Sequence, residues 1–184
     1  MRIIAGNLRG KLIKAPEGQN TRPTSDRARE MVFNILTSYF LKQGKLWPDI
    51  IFADIFSGSG AMGIEALSRG AKEVLCLENE AAALSCLRQN VQGLKSVRLL
   101  AQNALMPMPY KPVSVLFMDA PYGQGLWQKA LPAFQSAGWI DNHTLIIIET
   151  DKKLKENLPT GYTLLQERSA GRNTFLFAKQ EKES

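Results

Sequence analysis

Apolar residues fall along this chain in short blocks, separated by polar stretches that carry most of its glycines and prolines. Residues 50–56 and 113–119 are compact apolar runs, the pattern of strands covered on both faces. Between and around them the spacing changes to that of amphipathic helices, over 61–69, 80–92 and 126–137, with further strand-like runs at 73–78, 97–101 and 145–150. Strand and helix in regular alternation predict an α/β fold with a parallel sheet and right-handed crossovers. The end of the chain departs from that alternation. Two strand-like pieces, 162–168 and 174–178, flank Ala170-Gly171-Arg172-Asn173, which predicts an antiparallel hairpin on one edge of the sheet.

The first 24 residues read as a separate small unit, two extended pieces (1–5 and 10–15) joined by a Gly-Asn-Leu-Arg-Gly turn, followed by the main domain 25–184. Thr24, Ser25 or Asp26 is placed to cap a helix running from about 27 to 40. At 184 residues the chain is one domain with a small appendage and can bury a core without staples. Its two cysteines and one histidine have no zinc-type spacing, so no metal is expected. The first residues lack the apolar stretch of a signal peptide and no run reaches membrane-span length, so a reducing cytoplasm is the expected compartment. No dimer seam is evident and a monomer is expected.

Charge changes the picture. Lys and Arg number 23 against 17 Asp and Glu, and residues 1–30 alone hold seven basic groups and three acidic ones. A basic end on a near-neutral body suits phosphate contacts, and Arg2, Arg9, Lys11, Arg22, Arg27 and Arg29 are the candidates. A solvated basic surface is the plainer reading of the same composition.

Two segments carry candidate chemistry. The first, Asp54-Ile55-Phe56-Ser57-Gly58-Ser59-Gly60-Ala61-Met62-Gly63, joins the first sheet strand to its helix. Glycines there allow a sharp turn and bring a ligand close to bare N–H groups, and Glu78, ending the next strand, can accept both hydroxyls of a ribose. The spacing matches a dinucleotide fingerprint, but Asp54 at the strand end sets a negative charge beside any pyrophosphate. An amino group and a sulfonium are favoured there instead, which points to S-adenosylmethionine over a nicotinamide cofactor. Asp54, Phe56, Ser57, Gly58, Ser59, Gly60, Gly63 and Glu78 form the expected cofactor cradle. Asn103, after the third strand, is either an adenine contact or a turn residue.

The second segment is Asp119-Ala120-Pro121-Tyr122 at the end of the fourth strand, on the same edge of the sheet. A carboxylate, a carbonyl made rigid by proline and an aromatic ring suit a flat base with an exocyclic amine. Asp119 and the Ala120 carbonyl can accept the two N–H hydrogens while Tyr122 stacks on the ring. An aromatic amine delocalises its lone pair into the ring. Two acceptors hold its nitrogen closer to tetrahedral and favour the positive charge that develops on methyl transfer.

These residues carry a resemblance. From Met1-Arg2-Ile3-Ile4-Ala5-Gly6 through Thr21-Arg22-Pro23-Thr24, the glycine segment, Glu65-Ala66-Leu67-Ser68-Arg69-Gly70-Ala71, Glu78 and Asp119–Tyr122 to Gly171-Arg172-Asn173-Thr174-Phe175, the chain resembles bacterial RsmD-type 16S ribosomal RNA guanine-N2 methyltransferases. The resemblance implies a class I S-adenosylmethionine-dependent methyltransferase with a seven-stranded, mostly parallel sheet and an N-terminal hairpin that grips RNA. It further implies that the target guanine lies in small ribosomal subunits or their assembly intermediates. Two positions depart from the family pattern: Ala120 stands where the amine-holding motif usually has its first proline, and Asn103 where an aspartate is usual. The first loosens the loop, and the second weakens the adenine assignment.

Other residues carry less. Arg69 and Arg172 are further phosphate candidates, His143 sits in a turn, Trp127 suits helix packing better than RNA stacking, and Glu149 ends a strand on the functional edge with no role assigned. Three other functions remain open at this level. They are an amino-methyltransferase for DNA adenine, another RNA or a protein amide; a nicotinamide-dependent oxidoreductase; and an RNA-binding assembly factor without catalysis.

Overall fold

A computed structural model of the chain describes residues 1–16, 24–154 and 157–181. The sheet strands are β1 (Ile51–Ile55), β2 (Glu73–Glu78), β3 (Val97–Ala101), β4 (Val115–Met118), β5 (Leu145–Asp151), β6 (Tyr162–Ala170) and β7 (Asn173–Gln180). They form one seven-stranded sheet in the order β3-β2-β1-β4-β5-β7-β6. Strands β1 to β5 pair in parallel, and β7 runs antiparallel to both β5 and β6. The parallel core and the C-terminal hairpin are therefore as the apolar pattern predicted.

Side chains alternate across the central strands and build two cores. On one face Ala53, Ile55, Leu116, Met118, Ile146 and Ile148 pack against helix α4 (Leu126–Ser136) through Trp127, Ala130, Leu131 and Phe134. On the other, Phe52, Val74, Phe117, Ile147 and Phe175 meet helices α1 (Asp26–Lys42), α2 (Ala61–Ser68) and α3 (Ala81–Val91). Helix α1 supplies Ala28, Val32, Phe33, Leu36 and Phe40, an i, i+4 stripe with one side turned to the sheet. Its start is fixed by Ser25, whose Oγ accepts the Ala28 N–H at 3.2 Å. Trp127 is buried in the first core, which settles it as a packing residue.

Register decides what shares the functional edge. Ile55 lies opposite Leu77 on one side and Met118 on the other, and Met118 lies opposite Ile148. One residue further along each strand, Glu78, Phe56, Asp119 and Glu149 therefore stand in a row. The order reverses between β1 and β4, which makes this the crevice where ligands bind in open α/β sheets.

The two N-terminal extended pieces pair antiparallel, as expected of them. Around the Arg2–Leu12 bridge the Ile3 N–H donates to the Lys11 carbonyl at 3.0 Å, the Gly10 N–H to the Ile3 carbonyl at 2.9 Å and the Ile13 N–H to the Met1 carbonyl at 2.9 Å. The pair is also fastened to the body. The Ile4 and Ala5 N–H groups donate to the carboxylate of Glu65 on α2, at 2.8 and 3.1 Å. Ser68 Oγ accepts the Leu8 N–H, and Asn90 of α3 accepts the Lys14 N–H and donates to the Lys14 carbonyl. Ile3 and Ile13 are buried against Ala61 and Ile64. The unit is thus bonded to the two helices that follow the glycine turn and the second strand.

Arg29 also corrects an expectation. Proposed from the sequence as a phosphate contact, it is fully buried. It donates to Asp26 at 2.8 Å and to the Arg2 carbonyl at 2.7 Å, and its Nε lies 4.0 Å from Glu65, so its charge is held inside the protein. Arg69 completes the group, bonded to Glu65 at 2.9 Å and lying over the Phe33 ring. Removing one member of a buried ion pair strands the other and costs roughly 3–5 kcal/mol. Glu65→Ala is therefore expected to lower the unfolding free energy by about 3 kcal/mol in a urea titration; a loss below about 1 kcal/mol would show that the N-terminal unit is not held this way.

Candidate active site

The turn after β1 is built around one strained residue. Phe56 has φ 61°, a left-handed conformation that, among the described residues, no other non-glycine adopts. It bends the chain out of the sheet so that Ser57–Gly60 can run under the edge and enter α2. Ser57 holds the bend from below, its Oγ donating to the carbonyls of Asp54 and Leu77. Gly63 is required by packing, since a Cβ there would lie 2.8 Å from both Cys76 Sγ and Val74 Cγ1. Gly58 (φ 53°) faces the other way: a Cβ there would meet nothing within 4 Å, so this stretch of backbone borders open space.

Two carboxylates flank that turn. Asp54, buried at the end of β1, accepts the Gly63 N–H at 2.9 Å. Gly63 is at the third position of α2, where the N–H has no partner within the helix, so Asp54 caps the helix from a neighbouring strand. A pyrophosphate seated on this helix start would face that carboxylate, which removes the ground for a nicotinamide cofactor. Glu78 is oriented by three backbone donors, Gly58 at 2.8 Å on one oxygen and Asn79 and Glu80 at 2.8 and 2.9 Å on the other. Asn103 is exposed, and its Oδ1 accepts the Leu105 N–H at 2.9 Å. That bond is the turn role, and only its Nδ2 remains for a ligand. The Ser59 side chain is buried and its carbonyl accepts from Asn90.

Across the switch point, β4 delivers Asp119 half-buried and Ala120 buried, while Tyr122 is 42% exposed. Ala120 packs in the core beside Met118, which orients the backbone that bears its carbonyl. Burial, then the charges of Asp119, Glu149 and Asp151, push the Tyr122 phenol up, so its hydroxyl keeps its proton beside those carboxylates.

Asp54, Glu78, Asp119 and Glu149 thus converge, and among the described residues none of them is in an ion pair with a lysine or arginine. Burial pushes Asp54 up to about 8, a rise opposed by the Gly63 N–H and reinforced by Glu78 and Glu149. Burial, then the charges of Glu149 and Asp54, hold Asp119 well above the usual carboxylate range. Burial likewise raises Glu149 to about 7, against the hydrogen bonds it accepts from Thr24 and Asn173. Buried carboxyl groups that hold their protons for want of a counter-charge ionise more readily beside a cation, which fits a ligand bearing a sulfonium and an ammonium. The open space over Gly58, beside the fixed carboxylate of Glu78, fits its ribose.

The basic candidates are spread more widely. Arg2, Arg9 and Arg27 are exposed, Lys11 is half-buried, and Arg22 lies outside the described residues. Arg172 is exposed at the C-terminal turn and His143 in its own turn. The roles of Glu65, Asn90 and Glu149 escaped the sequence reading. For Glu65 and Asn90 the one signal was a charged or amide residue on a helix face that periodicity assigns to the interior.

Comparison with known proteins gives the chain a family and a fold. The family model described as conserved hypothetical protein 95 matches residues 1–179. The ribosomal RNA small subunit methyltransferase D of Escherichia coli K12 is 32% identical, over 98% of this chain and 90% of its own. Among solved structures, the Escherichia coli methyltransferase yhhF superposes with a TM-score of 0.83 at 29% identity, covering 100% of this chain and 99% of that one. A SAM-dependent methyltransferase from Aquifex aeolicus shares the fold, with a TM-score of 0.58 at 18% identity over 77% of this chain and 88% of its own.

The raised carboxylates have a consequence for stability. Their folded values exceed those of the unfolded chain, so the ligand-free protein keeps protons that the unfolded chain has released. The unfolding free energy therefore falls as pH rises, through Asp54 from roughly 4 to about 8 and through Glu149 from roughly 4.5 to about 7, by on the order of 1 kcal/mol per pH unit for each of the two. Asp54→Asn should flatten that slope by about one proton in denaturant titrations across the window; an unchanged slope would mean that Asp54 is ionised throughout.

Proposed function

The chain belongs to the conserved hypothetical protein 95 family, and on that premise we propose that it transfers a methyl group from S-adenosylmethionine to the exocyclic N2 of a guanine in 16S ribosomal RNA. The observation that carries this reading is the meeting, at one switch point, of a cation-seeking carboxylate cluster with an amine-holding loop. The substrate is taken from the ribosomal RNA methyltransferases to which the chain is similar over nearly its whole length.

Asp54, Phe56, Ser57, Gly58, Ser59, Gly60, Gly63 and Glu78 hold the donor, with Asn103 offering its amide to the adenine. When bound, S-adenosylmethionine supplies a methyl carbon made electrophilic by its sulfonium. Glu78, already fixed by three N–H groups, keeps one lone-pair direction, on the oxygen that accepts from Gly58, for a ribose hydroxyl. Asp119 and the Ala120 carbonyl accept the two hydrogens of the guanine amine, and Tyr122 offers its exposed ring face to the base. The positive donor and the N–H donors of the base both favour ionised Asp119, which offsets the burial that raises it in the ligand-free protein. Its charge then stabilises the positive nitrogen of the transition state. Asp119 need not be a strong base, because an N-methylated arylammonium is acidic and sheds its proton readily.

The exposed cations Arg2, Arg9 and Arg27, with Lys11 and Arg22, contact phosphates of the small subunit or an assembly intermediate, on which the protein acts as a monomer. Among the described residues no helix is long and apolar enough to cross a membrane.

The reading is tested by incubating small subunits that lack their guanine-N2 methyl groups with labelled S-adenosylmethionine and analysing nucleosides by mass spectrometry. Labelled N2-methylguanosine is expected, and label only in adenosine or in protein would refute it. Asp119→Ala should lower kcat by about 100-fold or more while leaving donor affinity within about threefold by calorimetry; equal turnover would sink the amine-holding role. Reversing Arg9 and Lys11 together to Glu should weaken subunit binding and shallow its salt dependence by about one power of salt for each phosphate no longer neutralised. An unchanged slope would remove these residues from the RNA surface.

A further inference from the structure

Arg2, Arg9 and Lys11 sit on the N-terminal unit, which is bonded to α2 and α3, the helices that pack on β1, β2 and β3. Those cations therefore belong to the donor's half of the sheet. The other half, β5, β7 and β6, carries a further group of exposed cations to which the function above gives no part: Lys152, Lys153 and Arg172.

Topology brings these three together. Strand β5 runs parallel to β4, so it ends, at Asp151, on the edge where Asp119 and Tyr122 follow β4. Strand β7 runs the other way and begins with Asn173 opposite Asp151, so the β6–β7 turn that holds Arg172 projects from that same edge. The Lys152 N–H donates to the Arg172 carbonyl at 2.9 Å, which ties the chain after β5 to the turn. The Lys153 N–H donates to Asp151 Oδ1 at 2.8 Å and the Leu154 N–H to the Asp151 carbonyl at 2.9 Å. Across the hairpin the Ser169 and Thr174 hydroxyls are hydrogen-bonded at 3.1 Å, and Asn173 Nδ2 donates to Glu149, the neighbour of Asp119 in the row at the strand ends. The three cations thus stand on backbone already fixed beside the site.

Their charge is unused within the protein. Among the described residues none of the three is in an ion pair. The acid between them, Asp151, is half-buried and accepts the Lys153 N–H. Like charges gathered at one edge repel one another, and packing gives no reason to gather them; a polyanion does. A nucleotide whose base is held at β4 has a phosphate on each side of it, so its chain leaves the site in two directions. The N-terminal unit serves one half of the sheet only.

We propose that Lys152, Lys153 and Arg172 form a second phosphate-binding surface for the RNA, on the opposite half of the sheet from the N-terminal unit. This rests on the reading of the protein as a methyltransferase of RNA. Arg172 brings a planar fork that suits two phosphate oxygens, and the lysines bring compact charges that adapt to the backbone's path. Because the turns beneath them are hydrogen-bonded in advance, little backbone order remains to be imposed on binding.

The test is the affinity of the whole protein for small subunits lacking their guanine-N2 methyl groups, measured across a salt series. Lys152→Gln, Lys153→Gln and Arg172→Gln combined should weaken binding by about tenfold or more and shallow its salt dependence by about two powers of salt. Donor affinity should stay within about threefold by calorimetry. The control is Lys42→Gln, Lys45→Gln and Lys72→Gln combined, which removes as much charge from exposed positions at the opposite edge, where α1 ends and β1 and β2 begin. It should change the slope by less than about half a power. Losses from the first set should add to those of Arg9→Gln with Lys11→Gln, since the two surfaces hold separate phosphates. An unchanged slope in the first set, or an equal change in the control, would overturn the proposal. A wild type that neither binds nor methylates small subunits would overturn the function along with it, whereas a methylating wild type whose first variant keeps the full slope would overturn this inference alone.

Discussion

A carboxylate withdrawn from water needs donors or a cation, and this protein gathers four of them on one edge of its sheet. Asp54 and Glu78 are satisfied by backbone N–H groups, and Glu149 by side-chain donors. None of these partners carries a full positive charge, so Asp54 and Glu149 hold on to protons after folding and a cationic ligand is left to favour their ionisation. The glycine turn, the strain at Phe56 and the capping of α2 follow from this constraint. Each places an N–H group where a carboxylate can use it, or clears space where a cationic ligand can approach. The same electrostatics separates a sulfonium donor from a pyrophosphate cofactor that the glycine spacing alone would admit.

A second buried network holds the N-terminal unit against the body. Glu65 accepts from two backbone N–H groups of that unit and from Arg69, and it faces the buried Arg29. Asn90 bonds both to Lys14 and to the Ser59 carbonyl within the cofactor turn. The unit that carries Arg2, Arg9 and Lys11 is therefore bonded to the two helices that bracket the donor site. A basic segment that hung loose would have to be ordered at each encounter with RNA. This one is ordered in advance, so less conformational entropy is lost on binding. It also gives a physical meaning to the Ile-Glu-Ala-Leu-Ser-Arg-Gly-Ala run, whose Glu65, Ser68 and Arg69 are fastenings and not contacts to substrate.

Both networks show acids and bases whose purpose is internal. Arg29 and Glu149 are the instructive pair. The first was expected on the surface among the RNA contacts and is enclosed by Asp26, Glu65 and the Arg2 carbonyl. The second was expected to do nothing and joins three segments. In each case the residue's own neighbours in sequence are ordinary, and its role is set mainly by partners tens of residues or more away.

The sequence by itself determined the parallel sheet, the antiparallel hairpin at its end, the glycine turn and the positions of Asp54, Glu78 and Asp119 at strand ends. These follow from local periodicity and from the rule that ligands gather beyond the carboxyl ends of parallel strands, both of which are written in short stretches of chain. Only the tertiary structure decided that the N-terminal pair would be fastened to Glu65, that Arg29 would be buried, and that Glu149 would receive Thr24 and Asn173. Those outcomes are competitions for hydrogen-bond partners between segments 24 to 125 residues apart. A pattern read along the chain cannot rank such partners, because which of them is within reach depends on how helices and strands pack.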